Sequence, residues 1–137
     1  MVKLVDYISL GVTVTLIPLA DAPTFERDGF TFRPLAVPSR GSVELAVWAL
    51  ELAPGAHSET HSMDREEVFV VIEGKVSATV AGEDVLAEAG DAIIVPAHAT
   101  LQLRNGCPHN PAQLTAVTSA GMKATTDGAT FAPPWTQ

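Results

Sequence analysis

Residues 54–74 read PGAHSETHSMDREEVFVVIEG and place two of the four histidines, His57 and His61, among the carboxylates Glu59, Asp64, Glu66 and Glu67. Imidazole and carboxylate side chains support two kinds of chemistry. Side by side they exchange protons, because the carboxylate raises the ring's proton affinity and fixes its tautomer. Converging on one point in threes or more, they hold a divalent cation. The remaining histidines are His98 and His109. No glycine-rich phosphate loop, nucleophile elbow or paired Cys-x-x-Cys motif occurs. The single cysteine, Cys107, cannot form an internal disulfide. It sits in a turn at Asn105-Gly106 with no cation beside it in sequence, which predicts an ordinary loop thiol. His109 falls in the same turn and is expected to be exposed.

These side chains need a scaffold. Ten prolines and ten glycines cut the chain into short pieces, so long helices are not expected. The pieces predict strands over residues 12–17, 30–35, 43–52, 67–73, 76–80, 92–95, 101–104 and 113–118, with a turn at 81–84. Turn signals recur roughly every eight to twelve residues, the spacing of an all-β sandwich or barrel. If Glu67 points inward, Phe69 and Val71 do too. Val68, Val70 and Ile72 then face outward, and they are also apolar. A strand apolar on both faces needs cover outside it. The other sheet's edge, residues 2–16 or a second subunit could supply it, and a homodimer is the favoured expectation. Asp64, Arg65 and Glu66 read as a solvated hairpin tip. Glu59 reads as a rim or outer-face residue, and Trp48 as a core or interface residue. Pro133-Pro134-Trp135 reads as a latch or an exposed tail.

Composition narrows the partners. Apolar residues make up 47% of the 137, which excludes disorder as the main state and supports one core. Eight basic against 16 acidic residues give a net charge of −8, and no basic cluster exists to attract nucleic acid or an anionic membrane. No apolar run is long enough to span a bilayer. Residues 1–20 are interrupted by Lys3, Asp6 and Pro18 and lack the pattern of a secretion signal, so a cytoplasmic protein is expected.

Two segments resemble the paired motifs of the cupin superfamily, in its small single-domain cupin-2 form. In the first, Gly55, His61, Glu67 and Gly74 fall on the pattern Gly, His-x-His, Glu, Gly. In the second, Gly90, Pro96 and Asn105 fall on the pattern Gly, Pro-x-Gly, His, Asn. The resemblance implies a double-stranded β-helix, or jelly-roll barrel, over about residues 44–118. Residues 1–43 and 119–137 would pack on it within one domain spanning 1–137. It also implies a pocket of three histidines and a glutamate around a metal ion.

The sequence departs from that ligand set at two positions. Met63 stands at the second histidine of the first motif and Leu101 at the histidine of the second. His98 stands at the glycine of Pro-x-Gly. Two cofactor readings follow: no metal, with His57 and His98 as solvated loop residues at the barrel rim, or a divalent metal on a rebuilt site of His61, Glu67 and one of these two, His98 first. Without a metal, His61 and Glu67 would face each other across an apolar cavity lined by Met63, Phe69, Val71, Leu101 and Leu103. That pair suits proton shuffling of the isomerase or cyclase type on an apolar or aromatic small molecule. The alternatives are a non-catalytic ligand-binding or sensor module, a metal-dependent enzyme using the rebuilt site, and a structural role in an assembly.

Overall fold

The computed structural model describes residues 3–7 and 12–137, with side chains from residue 14 onward. The strands run in chain order β1 (Lys3–Tyr7), β2 (Val12–Leu16), β3 (Phe25–Arg27), β4 (Phe30–Pro34), β5 (Leu45–Leu52), β6 (Ser62–Met63), β7 (Glu67–Glu73), β8 (Lys75–Val80), β9 (Glu83–Glu88), β10 (Ala92–Val95), β11 (Leu101–Asn105), β12 (Ala112–Ser119), β13 (Ala124–Thr126) and β14 (Ala129–Phe131). One layer is a sheet ordered β10-β7-β12-β5-β4-β3, and the other combines β11-β8-β9 with β14-β13-β6. Bridges from His57 to Arg104 and from His61 to Leu101 tie the segment before β6 onto β11, so the smaller sheets run together. The result is the expected all-β antiparallel jelly roll.

The predicted strands 67–73 and 92–95 match β7 and β10 residue for residue, and others shift at their ends. Strand β9 was not expected. Its chain reversal needs only Ala81 and Gly82, both in the left-handed region (φ 49° and 83°), so pairing with β8 resumes at Glu83. The charges of Glu83, Asp84 and Glu88 hide it from any apolar pattern. Asp64–Glu66 is solvated as expected, with Arg65 and Glu66 exposed, but it is tied down. Asp64 Oδ1 accepts from the Lys123 amide at 2.7 Å, and the Arg65 guanidinium donates to Ser119 Oγ at 3.1 Å, stapling this bend to the end of β12.

Strict alternation builds the interior. Across the large sheet, Ala116 of β12 pairs with Trp48 of β5 on one side and Phe69 of β7 on the other. A methyl group between two large rings leaves room inside the barrel. Gly74 closes β7 with φ +85°, and a Cβ there would lie 2.9 Å from the Pro111 carbonyl oxygen, so only glycine fits without displacement. The C-terminal segment is a latch. Trp135 stacks on Phe32 with ring centroids 3.7 Å apart, Thr136 is fully buried, and the Gln137 carbonyl accepts from the Ser39 amide at 3.1 Å.

Outside, β1 and β2 form a two-stranded sheet of their own. Residues 2 and 8–11 of the suggested N-terminal cover lie outside the described residues. The outward side chains of β7 and β10 are open, with Ile72 55% and Ile94 62% exposed. No helix among the described residues is long and apolar enough to cross a membrane.

Candidate functional site

A cavity of about 100 Å³ lies between the layers and opens past the β3–β4 turn and the β13–β14 hairpin. Strand alternation supplies its walls. Strands β4 and β5 contribute Phe30, Phe32, Trp48 and Leu50, and β7 contributes Glu67 and Phe69. Met63 comes from β6, Leu101 and Leu103 from β11, and Trp135 from the latch.

Glu67 is the buried charge-bearing group in this wall, only 3% exposed. Its Cα partners on the flanking strands are Thr118 and Val95. Val95 has no polar side chain, and the Thr118 hydroxyl is spent on the Glu66 carbonyl at 2.6 Å. Oε1 of Glu67 is therefore left with no hydrogen bond to the protein. Burial without a partner disfavours the carboxylate and pushes the pKa up to about 8. At neutral pH the group is a carboxylic acid, with one proton to donate and acceptor capacity to spare.

His61 also lines the cavity. Its Nδ1 lies 2.8 Å from the Glu59 carbonyl oxygen, which can only accept, so Nδ1 carries the proton and Nε2 is bare. Burial lowers the His61 pKa, the Glu59 hydrogen bond opposes this, and the Arg27 charge adds to the lowering. The ring is neutral at pH 7 and has the form of a base. Among the described residues, no hydrogen bond or ion pair joins His61 to Glu67.

Arg27 stands at the mouth, 3.6 Å from Glu59 and 3.8 Å from Asp28, with its guanidinium carbon 5.7 Å from the centre of the Phe131 ring. The Thr126 hydroxyl donates to Glu59 at 3.2 Å. Glu59 thus orients His61 through its backbone and binds both flanks of the mouth through its side chain.

Of the side chains expected in the pocket, Met63, Phe69, Leu101 and Leu103 line it. Val71 is 1% exposed but stands in the core away from the cavity wall. His98 is not brought to His61 and Glu67. It is exposed on the turn after β10, with φ 67° in the glycine-favoured region and its N–H on the Met63 carbonyl at 2.7 Å. His57 and His109 are exposed. Sequence reasoning missed Phe30, Phe32, Trp48, Met122 and Trp135 as cavity walls. The alternation of Phe30 with Phe32 marks one face of a strand, but nothing local says which cavity that face meets.

The metal implied by the sequence resemblance fails on donor chemistry. The four ligand positions hold His61, Met63, Glu67 and Leu101. An isobutyl group cannot ligate and a thioether is a poor donor to hard or borderline cations, which leaves two ligands, His61 and Glu67, of the four. Among the described residues no group of three or more His, Cys, Asp or Glu side chains is placed to hold a metal. The residues present do not fit a divalent first-row ion.

The fold has many solved counterparts. An RmlC-like cupin from Shewanella frigidimarina superposes with a TM-score of 0.66 at 22% identity, over 76% of this chain and 88% of that one. The polyketide cyclase RemF from Streptomyces resistomycificus gives 0.70 at 17% identity, over 86% of each chain. A salicylate 1,2-dioxygenase from Pseudoaminobacter salicylatoxidans gives 0.67 at 21%, over 78% of this chain and 31% of that one. Identities this low carry the fold alone. A search of curated proteins gives no match. The family model described as the cupin domain matches residues 48–118, the stretch from Trp48 in β5 to Thr118 in β12 that carries the Glu67 wall, and the chain belongs to the cupin family.

Proposed function

We propose that this barrel binds a small, mostly apolar molecule in its inner cavity and moves a proton on it without a metal, in the manner of an isomerase or cyclase. The observation that carries this reading is the orphaned Oε1 of Glu67 inside a wall of aromatic and aliphatic side chains. A buried polar atom without a partner costs about 1–3 kcal/mol. A ligand whose polar atom meets Oε1 recovers that cost. Glu67 is the deep polar anchor, and His61, neutral with Nε2 bare, is the base that takes a proton. The mouth residues Arg27, Glu59 and Phe131 control entry.

The test pairs binding with exchange. Small cyclic and monocyclic aromatic carbonyl compounds are titrated while tryptophan fluorescence is followed, since Trp48 and Trp135 both line the cavity. Incorporation of solvent deuterium into the bound compound is read by NMR. Binding that weakens in Glu67→Gln, with exchange lost in a folded His61→Ala, supports the reading. Binding without exchange reduces the protein to a ligand-holding module, and no binding overturns the proposal.

We also infer that the outer face of the large sheet meets a second copy of this chain. Val68, Val70 and Ile72 of β7, Ala92 and Ile94 of β10, and Thr115 and Val117 of β12 make the β10-β7-β12 part of it an uncharged patch in a chain of net charge −8. Two such chains can approach on this face without like-charge repulsion, and a twofold pairing places the same patch on both sides.

A further inference from the structure

The chain has five phenylalanines and two tryptophans, and six of these seven line one cavity: Phe30, Phe32, Trp48, Phe69, Phe131 and Trp135. A core needing only bulk would be filled by leucine, isoleucine and valine as well as by rings. Here the rings surround a carboxyl group whose Oε1 has no partner. Aromatic rings present negative potential on their faces, and such faces attract cations most strongly where water is excluded. The ionisable groups at the mouth point the same way. Asp28 and Glu59 outnumber Arg27, and both lie within 4 Å of it. Arg27 already sits over the Phe131 ring at 5.7 Å, so this rim accommodates a cation against an aromatic face. No basic side chain other than Arg27 and the imidazole of His61 lines the cavity.

We propose that the group seated deepest in this cavity is a compact organic cation, an alkylated ammonium, held among the aromatic rings and against the Glu67 carboxyl. The inference rests on the reading of the barrel as ligand-binding and names the chemical class of its ligand. Cavity size restricts the cationic head to a few heavy atoms, in keeping with about 100 Å³ of space. Charge balance sets the accompanying proton step. When a quaternary cation enters, the O–H bond of Glu67 breaks, the proton passes to solvent, and the carboxylate remains to pair with the nitrogen charge. A neutral amine would instead take that proton itself and stay as the ammonium.

The experiment uses the full chain at about pH 7 and three probes: tetramethylammonium, choline, and dimethylbutanol, which is choline with its quaternary nitrogen replaced by carbon. Tryptophan fluorescence gives affinity, and calorimetry in two buffers of different ionisation enthalpy gives the proton count. The cations are expected to bind roughly tenfold or more tighter than the alcohol. Each should release about one proton, since Glu67 titrates at about 8. In Glu67→Gln, a near-isosteric change that keeps the neutral shape, the alcohol should bind as before, while the cation preference falls several-fold to what the rings alone supply and proton release disappears. Equal binding of cation and alcohol would overturn the cation proposal and leave the ligand-binding reading standing. Loss of all three while the neutral carbonyl compounds above still bind would also overturn it. If no probe of either class binds, both fall. A cation preference undiminished in Glu67→Gln would remove Glu67 as a contributor and overturn the proposed pairing.

Discussion

Thr118 stands directly across from Glu67 in the β7–β12 register, yet its hydroxyl turns to the Glu66 carbonyl, 2.6 Å away, and leaves Glu67 Oε1 alone in the barrel. The nearest polar neighbour on the adjoining strand is thus used up on backbone. Oε1 is satisfied only by something that enters the cavity.

Stability should fall with rising pH because of this group. The pKa of Glu67 is raised from 4.5 to about 8 in the folded protein, so between these values the native state holds a proton that the unfolded state has lost. In that window stability drops by about 1.4 kcal/mol per pH unit from this group alone. Urea unfolding at about pH 5 and about pH 8 should show that Glu67→Gln gains on the wild type as pH rises. A difference that does not change with pH would contradict the burial of a neutral acid.

Asn105 is a structural post. Its amide nitrogen reaches the carbonyls of Leu52, Ala53 and Asn110 at 2.8–3.1 Å, and its oxygen accepts from the Cys107 amide at 2.8 Å. Asn105→Ala removes four hydrogen bonds at once, one of them fully buried on the Leu52 carbonyl, and should cost about 2–3 kcal/mol in denaturant unfolding. A cost below about 0.5 kcal/mol would show that water replaces these bonds.

The open face of β7 and β10 can be tested by mass. Ile94 is 62% exposed, so Ile94→Lys should fold normally. Light scattering is expected to give a dimer for the wild type and a monomer for the variant. A monomeric wild type removes the pairing inference.

Cys107 is not the ordinary thiol that its sequence neighbours suggest. Hydrogen bonds from the His109 and Asn110 backbone lower its pKa, and the Asn110 side chain, 3.8 Å from the sulfur, and the Lys75 charge add to this. Alkylation by iodoacetamide near neutral pH should run several-fold faster than for an unstructured cysteine peptide, and slow when the protein is unfolded in urea. Equal rates in the two states would contradict thiolate stabilisation by the turn.

The barrel was legible from sequence because its signal is local: short runs between breakers, with apolar and polar residues alternating in β8 and β11. The inward register of Glu67 with Phe69 followed from the same period of two. The cavity's aromatic wall was not legible. Phe32 and Trp135 are far apart in the chain and meet only through the C-terminal latch, at 3.7 Å between centroids. The rim position of His98 was readable from its place at the glycine of Pro-x-Gly, and the structure gives it the left-handed backbone that such a glycine position implies. His61 and Glu67 do line one cavity, but no hydrogen bond joins them: the Nδ1 proton of His61 goes to the Glu59 carbonyl two residues away, and Glu67 Oε1 has no partner.

The most direct measurement is an NMR titration of the Glu67 side-chain carboxyl in ¹³C-labelled protein, assigned by comparison with Glu67→Gln. A midpoint near pH 8 is predicted, set by burial and the missing partner. A midpoint between about 4 and 5, the range of a solvated glutamate, would contradict a neutral acid waiting in the cavity.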